Sequence, residues 1–175
     1  PPFTITAGGE LRVAEAIDLE SCPEFTIDVR AQAAGSVALT CAVTVTMQDA
    51  NDSPSIEQNP VRAVTEQSKV NTPCGDPVFA TDPDAGQELT FSIAGGDAGL
   101  FTIGKCSGQI KVLDAGIAYD PNTPANNVKT FTVTVTDDSP PEQDGTVTAV
   151  SVSTTATVNI LNINDPPVFQ GAPVF

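Results

Sequence analysis

The sequence contains 175 residues with 22 acidic and 7 basic side chains, a formal net charge of −15, and neither histidine nor tryptophan. The negative charge argues against nucleic-acid backbones and anionic membrane surfaces as partners. The missing histidine argues against serine and cysteine triads and most zinc sites, so that an enzyme built on carboxylates alone is the remaining catalytic alternative. The length allows one or two domains.

Short runs of Val, Ile, Thr and Phe recur along the chain and are separated by Gly, Pro, Asn and Asp. Within each run apolar and Thr residues alternate, which is the period-two pattern of strands with one buried face. Turns at about ten-residue spacing predict an all-β sandwich. We expect a loop turn at 15–20 and an edge strand in the Thr/Ser-rich stretch 146–157, with O-linked sugar there as the alternative. The predicted strands are 3–5, 10–13, 25–29, 43–47, 77–79, 89–93, 101–103, 109–112, 131–135 and 156–160.

The chain repeats itself with a period of about 100–110 residues. The first pass starts at Phe3-Thr4-Ile5 and ends at Asp49-Ala50-Asn51-Asp52, and the second starts at Phe101-Thr102-Ile103 and ends at Asn162-Ile163-Asn164-Asp165. We therefore expect three segments. Residues 1–52 form the C-terminal half of a repeat, 53–165 form a complete repeat, and 166–175 start the next one.

Oxygen-bearing side chains cluster beside two of the predicted turns. Asp49, Asn51 and Asp52 lie within four residues and are followed by Pro54, which keeps the exit extended, and Asp82-Pro83-Asp84 follows about thirty residues later. Carboxylate, amide and backbone oxygens are the ligands that calcium prefers. The pattern indicates a calcium-rigidified linker, and the alternative is that these residues serve only as turn formers.

Four cysteines are present, at positions 22, 41, 74 and 106, and none forms a CxxC pair. This favours two disulfides in an oxidising compartment over zinc or thioredoxin-like chemistry. Three pairings are possible, of which Cys22–Cys41 with Cys74–Cys106 keeps each bridge within one repeat. The sequence contains no apolar run near the length of about 20 residues that a membrane span needs.

In their order and spacing, these motifs resemble tandem cadherin repeats. The linker motif Asp-x-Asn-Asp-x-Pro is matched by 49–54, and the Asp-x-Asp motif is matched by Asp82-Pro83-Asp84 with Gly86 behind it. The Phe-x-Ile…Gly-x-Ile hairpin is present at 101–110, and Ile17-Asp18-Leu19-Glu20 approximates the Leu-Asp-Arg-Glu motif. The resemblance implies a Greek-key, immunoglobulin-like β-sandwich in tandem copies joined by calcium-binding linkers.

The resemblance also implies a set of calcium ligands at the first linker. They come from the base of the first repeat, from the linker itself, and from the top of the second repeat. The implied ligands are Asp18, Glu20, Asp49, the carbonyls of Ala50 and Ser53, Asn51, Asp52, Asp82, Asp84, a carbonyl near Glu88, and Asp137.

The second linker departs from the family pattern. Asn162 replaces the first linker's Asp49, and Ala118 stands at the position matched by Asp18. Fewer or weaker calcium ions are expected there, and the alternative that this end binds none stays open. The ligands left at this end are Glu66, Asp120, Asn162, Asn164 and Asp165.

The function implied by the resemblance is that of a calcium-dependent cell-adhesion module in an extracellular rod, not an enzyme. The cofactor is Ca²⁺, and the parent protein is expected at the cell surface with a single membrane span. The expected partners are other cadherin-like chains, homophilic or heterophilic, or a matrix protein, with no nucleic acid and no direct membrane contact. The alternatives are a structural repeat of a matrix or fibre protein and a calcium-stabilised accessory domain of a secreted enzyme.

Overall fold

The computed structural model describes residues 2–18, 21, 24–47, 50–138 and 149–166. The chain divides into two compact units, Pro1–Ala50 and Asn51–Phe175. Regular structure in the described residues is strand apart from two short 3₁₀ helices, so the predicted all-β class is confirmed. In these ranges there is no helix with the length and apolarity that a membrane crossing requires.

The described residues of the first unit form two β-hairpins. In the first hairpin Phe3 pairs with Val13, and in the second Glu24 to Ala31 pairs with Leu39 to Thr46 in unbroken antiparallel register. Phe3 is buried, and its ring meets that of Phe25 edge-on at 5.2 Å between centroids. The strands are β1 (Phe3–Ile5), β2 (Leu11–Val13), β3 (Glu24–Ala31) and β4 (Leu39–Thr46).

The second unit is a sandwich built on a four-stranded sheet with the order β6-β12-β11-β8. Strand β12 pairs antiparallel with β11 and parallel with β6, while β9 pairs with β10 and β5 with β7. The strands are β5 (Ser55–Ile56), β6 (Val61–Thr65), β7 (Ala80–Thr81), β8 (Thr90–Ala94), β9 (Phe101–Ile103), β10 (Ile110–Val112), β11 (Val128–Thr136) and β12 (Ser151–Leu161), with 3₁₀ helices at Ala98–Leu100 and Pro124–Asn127.

The core of the second unit follows from the alternation along its strands. Residues Phe131, Val133 and Val135 of β11 point inward and are at most 3% exposed, while the Thr residues between them face outward or are half-buried. The Phe101 and Phe131 rings pack with centroids 5.3 Å apart. Inward residues of β9, β10 and β12 join the same cluster, so one core holds both faces of the sandwich together.

The Thr/Ser-rich strand is not an edge strand. Strand β12 has a partner on each side, and its Thr154 is buried with the hydroxyl accepting a hydrogen bond from the Asn59 N–H at 2.9 Å. The hydroxyls of Ser151 and Ser153 meet those of Thr136 and Thr134 across the β11–β12 pair at 2.7 and 2.8 Å. The cross-strand pairs give the outward hydroxyls of β12 hydrogen-bond partners within the sheet. A strand rich in Thr and Ser can therefore occupy a central position.

The described cysteines carry free thiols at positions 41, 74 and 106, so the predicted Cys74–Cys106 disulfide is not formed. Cys74 is fully buried in the core, and burial raises the pKa of its thiol to about 11. Cys106 lies in the exposed turn between β9 and β10. The other predicted partner, Cys22, lies outside the described residues. Cys74 therefore acts as a small apolar core residue.

The Arg62 guanidinium fastens the segment before β7 to strand β6. It binds both carboxylate oxygens of Glu57, at 3.1 and 2.6 Å, and donates to the carbonyls of Asp76 and Pro77 at 2.7 and 3.0 Å. The hydrogen bond from Arg62 lowers the pKa of Glu57, against the opposing effect of burial. The predicted strand 77–79 is not formed. Residues 77–79 belong to the irregular segment that Arg62 contacts, and the short strand β7 begins directly after them at Ala80.

Arg62→Met should lower the free energy of unfolding by about 1–2 kcal/mol at neutral pH, because it removes charge-assisted hydrogen bonds from a largely buried fork. A carboxyl with a lowered folded-state pKa stabilises the fold above its unfolded-state pKa, and that stabilisation disappears as the pH falls through the folded-state value. The difference between wild type and variant should therefore shrink below about pH 4. Urea unfolding at pH 7 and pH 3 measures it, and an equal difference at both values would contradict a charged Arg62–Glu57 pair.

Candidate functional site

Strand pairing brings three separate segments to one end of the second unit. Ser55 of β5 pairs with Thr81 of β7, so residues 51–54 lie beside residues 82–84. Thr90 of β8 pairs with Thr136 of β11, so the residues before β8 lie beside those after β11. The antiparallel register of the strand pairs fixes these neighbours. We call this place the acidic end of the second unit, and it is defined by Asn51, Asp52, Asp82, Asp84, Gln87 and Asp137.

The side chains of the acidic end are linked by hydrogen bonds between the segments. Asp84 accepts from the Asp52 N–H at 2.9 Å through Oδ2, and the Asp84 N–H donates to Asp82 Oδ1 at 2.9 Å. Asn51 Nδ2 donates to Asp137 Oδ2 at 3.1 Å. Five of the predicted ligands of the first linker are therefore neighbours in the folded unit.

Gln87 is a member of this cluster that sequence reasoning missed. Its Nε2 donates to Asn51 Oδ1 at 2.6 Å and to Asp84 Oδ2 at 2.7 Å, which joins the linker segment to the Asp-x-Asp segment. Its position three residues after Asp84, next to Gly86, was the available signal. A glutamine has no charge and matches no motif residue, so the sequence motifs do not identify it as a ligand.

Asp137 and Asp138 point to opposite sides of the strand end. Asp137 is 3% exposed, and it exchanges hydrogen bonds with Val150 through both its N–H and its Oδ1. Asp138 is exposed and accepts from the Glu88 N–H at 2.6 Å. Adjacent residues at the end of an extended strand diverge in this way, so these two carboxylates do not face each other.

Several carboxylates lie close together at the acidic end. Burial, together with the charges of Asp84, Asp137 and Asp52, raises the pKa of Asp82, while the hydrogen bond from the Asp84 N–H lowers it. The ion pairs found among the described residues, Arg12–Glu10 and Arg62–Glu57, do not involve this cluster. Two carboxylates about 5 Å apart repel by roughly 3 kcal/mol at an effective dielectric constant near 20.

Buried oxygens without a partner are concentrated at the same place. In the described residues, three buried side-chain polar atoms have no hydrogen-bond partner, namely Asp82 Oδ2, Asp84 Oδ1 and Gln87 Oε1. Asp84 is only 6% exposed, so solvent does not satisfy its oxygen. All three atoms are hard oxygen donors of the kind that coordinate Ca²⁺. These oxygens therefore fit a hard divalent cation, although the described residues contain no group of three or more Asp, Glu, Cys or His side chains placed to hold a metal ion.

The remaining predicted ligands of the first linker lie in different surroundings. Asp18, in the first unit, is exposed and accepts hydrogen bonds from the Ser21 N–H and hydroxyl at 3.4 and 2.7 Å. Ala50, Ser53 and Glu88 are exposed. Glu20 and Asp49 lie outside the described residues.

At the opposite end of the second unit, the Glu66 carboxylate binds the backbone of two other segments. It is 8% exposed, and its carboxylate accepts from the Tyr119 N–H at 3.1 Å and from the Ile163 N–H at 3.0 Å. Thr65 pairs with Leu161 at the ends of β6 and β12, which is why residues 66 and 163 emerge together. Both oxygens of this predicted ligand already have protein partners.

Asp120 is likewise engaged within its own loop. Its carboxylate accepts from the backbone N–H groups of Asn122 and Thr123 and from Asn126 Nδ2, and the bond from Asn126 contributes most to lowering the Asp120 pKa. Asp165 accepts from Gln67 Nε2 at 3.3 Å, and Asn162 and Asn164 are exposed. The described carboxylate oxygens of Glu66 and Asp120 thus have protein donors, unlike the unpartnered oxygens of the acidic end.

Comparison with known proteins identifies the chain. Residues 51–161, well over half of the chain, match the family model described as "Bacterial Ig domain". The chain is 35% identical over 178 aligned residues to protocadherin Fat 4 of Mus musculus, covering 98% of this chain and 3% of the relative. It is 32% identical over 132 residues to protocadherin-16 of Homo sapiens, covering 66% of this chain and 4% of the relative.

The chain belongs to the cadherin repeat family and, through residues 51–161, to the bacterial Ig domain family. The crystal structure of human protocadherin-24 EC1-2 superposes with a TM-score of 0.75 at 19% identity, covering 93% of this chain and 77% of that one. This likeness confirms the immunoglobulin-like β-sandwich fold. Both family descriptions are compatible with such a sandwich.

Membership in the cadherin repeat family establishes the broad class of the chain. It is an extracellular repeat module of the adhesion type, so the predicted extracellular localisation is confirmed, while the single membrane span of the parent protein stays a prediction. The chain spans only 3–4% of the length of the two curated relatives described above. The activity and partners of the whole protein are therefore matters of proposal.

Proposed function

We propose that the cadherin-type repeat formed by the second unit binds calcium at its acidic end, and that the bound ion stiffens the linker that leads into it. The observation that carries this proposal is the set of buried, unpartnered oxygens on Asp82, Asp84 and Gln87 beside the mutually repelling carboxylates. Leaving such groups unsatisfied costs about 1–3 kcal/mol each. A divalent cation would satisfy them and neutralise the repulsion at the same time.

The residues that would hold the ion are those predicted from the family resemblance. Asn51, Asp52, Asp82, Asp84 and Asp137 are supported by their closeness in the fold, while Asp18, Glu20, Asp49 and the carbonyls of Ala50, Ser53 and Glu88 rest on the resemblance alone. When bound, calcium supplies charge neutralisation and cross-linking of oxygens from separate segments. We propose that without it the linker behaves as a hinge.

The biological role we infer is that of a rod element in a calcium-dependent adhesion protein, with no catalytic activity. The segments 1–52, 53–165 and 166–175 are proposed as parts of consecutive repeats. Their parent is proposed to be anchored by a single membrane span and to contact other cadherin-like chains or a matrix protein. The acidic composition, with a net charge of −15, is compatible with such a spacer.

Calcium titration of the wild-type protein tests this proposal. Extracellular modules bind calcium with dissociation constants of about 10⁻⁴–10⁻³ M, so about 10 mM calcium should raise the melting temperature by roughly 5–10 °C relative to EGTA. Isothermal titration calorimetry should show heat of calcium binding with a dissociation constant of about 10⁻⁴–10⁻³ M, and magnesium serves as the control ion. Identical melting curves in calcium and EGTA, with no binding heat, would refute the proposal.

A further inference from the structure

Gln87 occupies a central position at the acidic end. One amide nitrogen reaches two oxygens on different segments, Asn51 Oδ1 at 2.6 Å and Asp84 Oδ2 at 2.7 Å. Both oxygens belong to residues proposed above as cation ligands. The NH₂ group thus places partial positive charge between an amide oxygen and a carboxylate oxygen of two different segments, as a cation would.

The other half of the same amide is unsatisfied. Gln87 Oε1 is buried and without a partner, like Asp82 Oδ2 and Asp84 Oδ1 in the same short segment. An amide that used both of its ends would not leave a buried carbonyl oxygen unpaired. The Gln87 NH₂ group therefore gives Asn51 Oδ1 and Asp84 Oδ2 a donor, while the carbonyl oxygen of the same amide has none.

We propose that Gln87 has two roles at this end: its NH₂ group closes the cation-free site, and its Oε1 becomes a calcium ligand when the ion binds. This inference rests on the calcium site proposed above. It adds a side-chain ligand to those assigned from the family motifs.

Rotation of the amide connects the two roles. The terminal torsion of glutamine is broad and roughly two-fold, and rotation by 180° exchanges Nε2 and Oε1 at almost no steric cost. After rotation Oε1 faces Asn51 and Asp84 as a fellow acceptor, which is unfavourable unless a cation lies among them. Amide oxygens are regular calcium ligands.

Two variants separate the donor role from the ligand role. Gln87→Met keeps the length of the side chain but neither donates nor coordinates strongly, whereas Gln87→Glu can coordinate but cannot donate. Urea unfolding of each variant in EGTA and in saturating calcium measures the empty and the filled protein separately.

The methionine variant should lower the folding equilibrium constant about tenfold in both conditions. The glutamate variant should lower it about tenfold in EGTA only, and should equal or exceed wild type in calcium. A glutamate variant as stable as wild type in EGTA overturns the donor role. A methionine variant as stable as wild type in calcium overturns the ligand role.

A purely packing role is also distinguishable, because the nearly isosteric glutamate variant would then match wild type in both conditions. Failure of the calcium site itself has a different signature, namely a wild-type protein whose unfolding midpoint is the same in EGTA and in calcium. A crystal structure of the calcium-bound protein gives a direct check. Gln87 Oε1 should lie within about 2.3–2.6 Å of the ion, and a distance beyond hydrogen-bonding range refutes the inference.

Discussion

Asp84→Asn is expected to weaken calcium binding by about 10–100-fold and to remove most of the calcium-dependent rise in melting temperature. Asp84 is 6% exposed, its Oδ1 has no partner, and its Oδ2 accepts from the Asp52 N–H and from Gln87 Nε2. The variant keeps the shape of the side chain but removes one negative charge from the cluster. In EGTA it should be at least as stable as wild type, because the loss of charge relieves repulsion.

Asp120→Asn is the matched control. Asp120 is predicted to belong to the weaker site at the opposite end, and its oxygens already accept bonds from Asn122, Thr123 and Asn126. Its calcium response should equal that of wild type. Melting curves with calcium and with EGTA compare the two variants, and an equal loss of the calcium response in both would contradict our ranking of the two ends.

Phe101→Ala should reduce the free energy of unfolding of the second unit by about 3–5 kcal/mol. The ring is 2% exposed and packs on Phe131 at 5.3 Å between centroids, so its removal leaves a cavity in the core that both faces of the sandwich share. Single domains are stable by only about 5–15 kcal/mol, so a substantial part of the folding free energy would be lost.

Phe79→Ala provides the control for this change, because the Phe79 side chain is 67% exposed. It should alter the free energy of unfolding by less than about 0.5 kcal/mol. Urea denaturation monitored by circular dichroism measures both variants. Similar losses for the two would mean that Phe101 does not occupy the core position described here.

Local pattern was sufficient to predict most of the fold. Strict alternation, as in Phe131 to Val135, identified strands whose inward residues form the core. The predicted edge position of the Thr/Ser-rich strand was wrong, because its composition suits an edge strand and a central strand equally. The hydroxyls of Ser151 and Ser153 suit an exposed edge, but they also suit cross-strand pairs on a central strand, and only the pairing of β12 with both β6 and β11 decides between them.

Five of the six members of the acidic end were predictable from the sequence, and Gln87 was not. Asp52, Asp82 and Asp84 stand in short motifs whose spacing is visible in the sequence. Gln87 acts through contacts with Asn51 that depend on strand register, which a linear motif does not contain. The Cys74–Cys106 pairing was wrong for a related reason: an even cysteine count does not indicate which thiol is buried. The ligand assignments themselves remain predictions.

The parallel pairing of β6 with β12 has a consequence for load. Residues 61–65 run alongside residues 157–161 in the same direction, and β12 continues directly to the exit of the second unit. Tension that pulls residue 51 and residue 166 apart would draw these neighbouring strands past each other lengthwise. Their hydrogen bonds then share the force and must break together, whereas a hairpin pulled open from one end loses its bonds one at a time. Resistance to stretching in this unit is thus provided by its backbone pairing, independently of any bound ion.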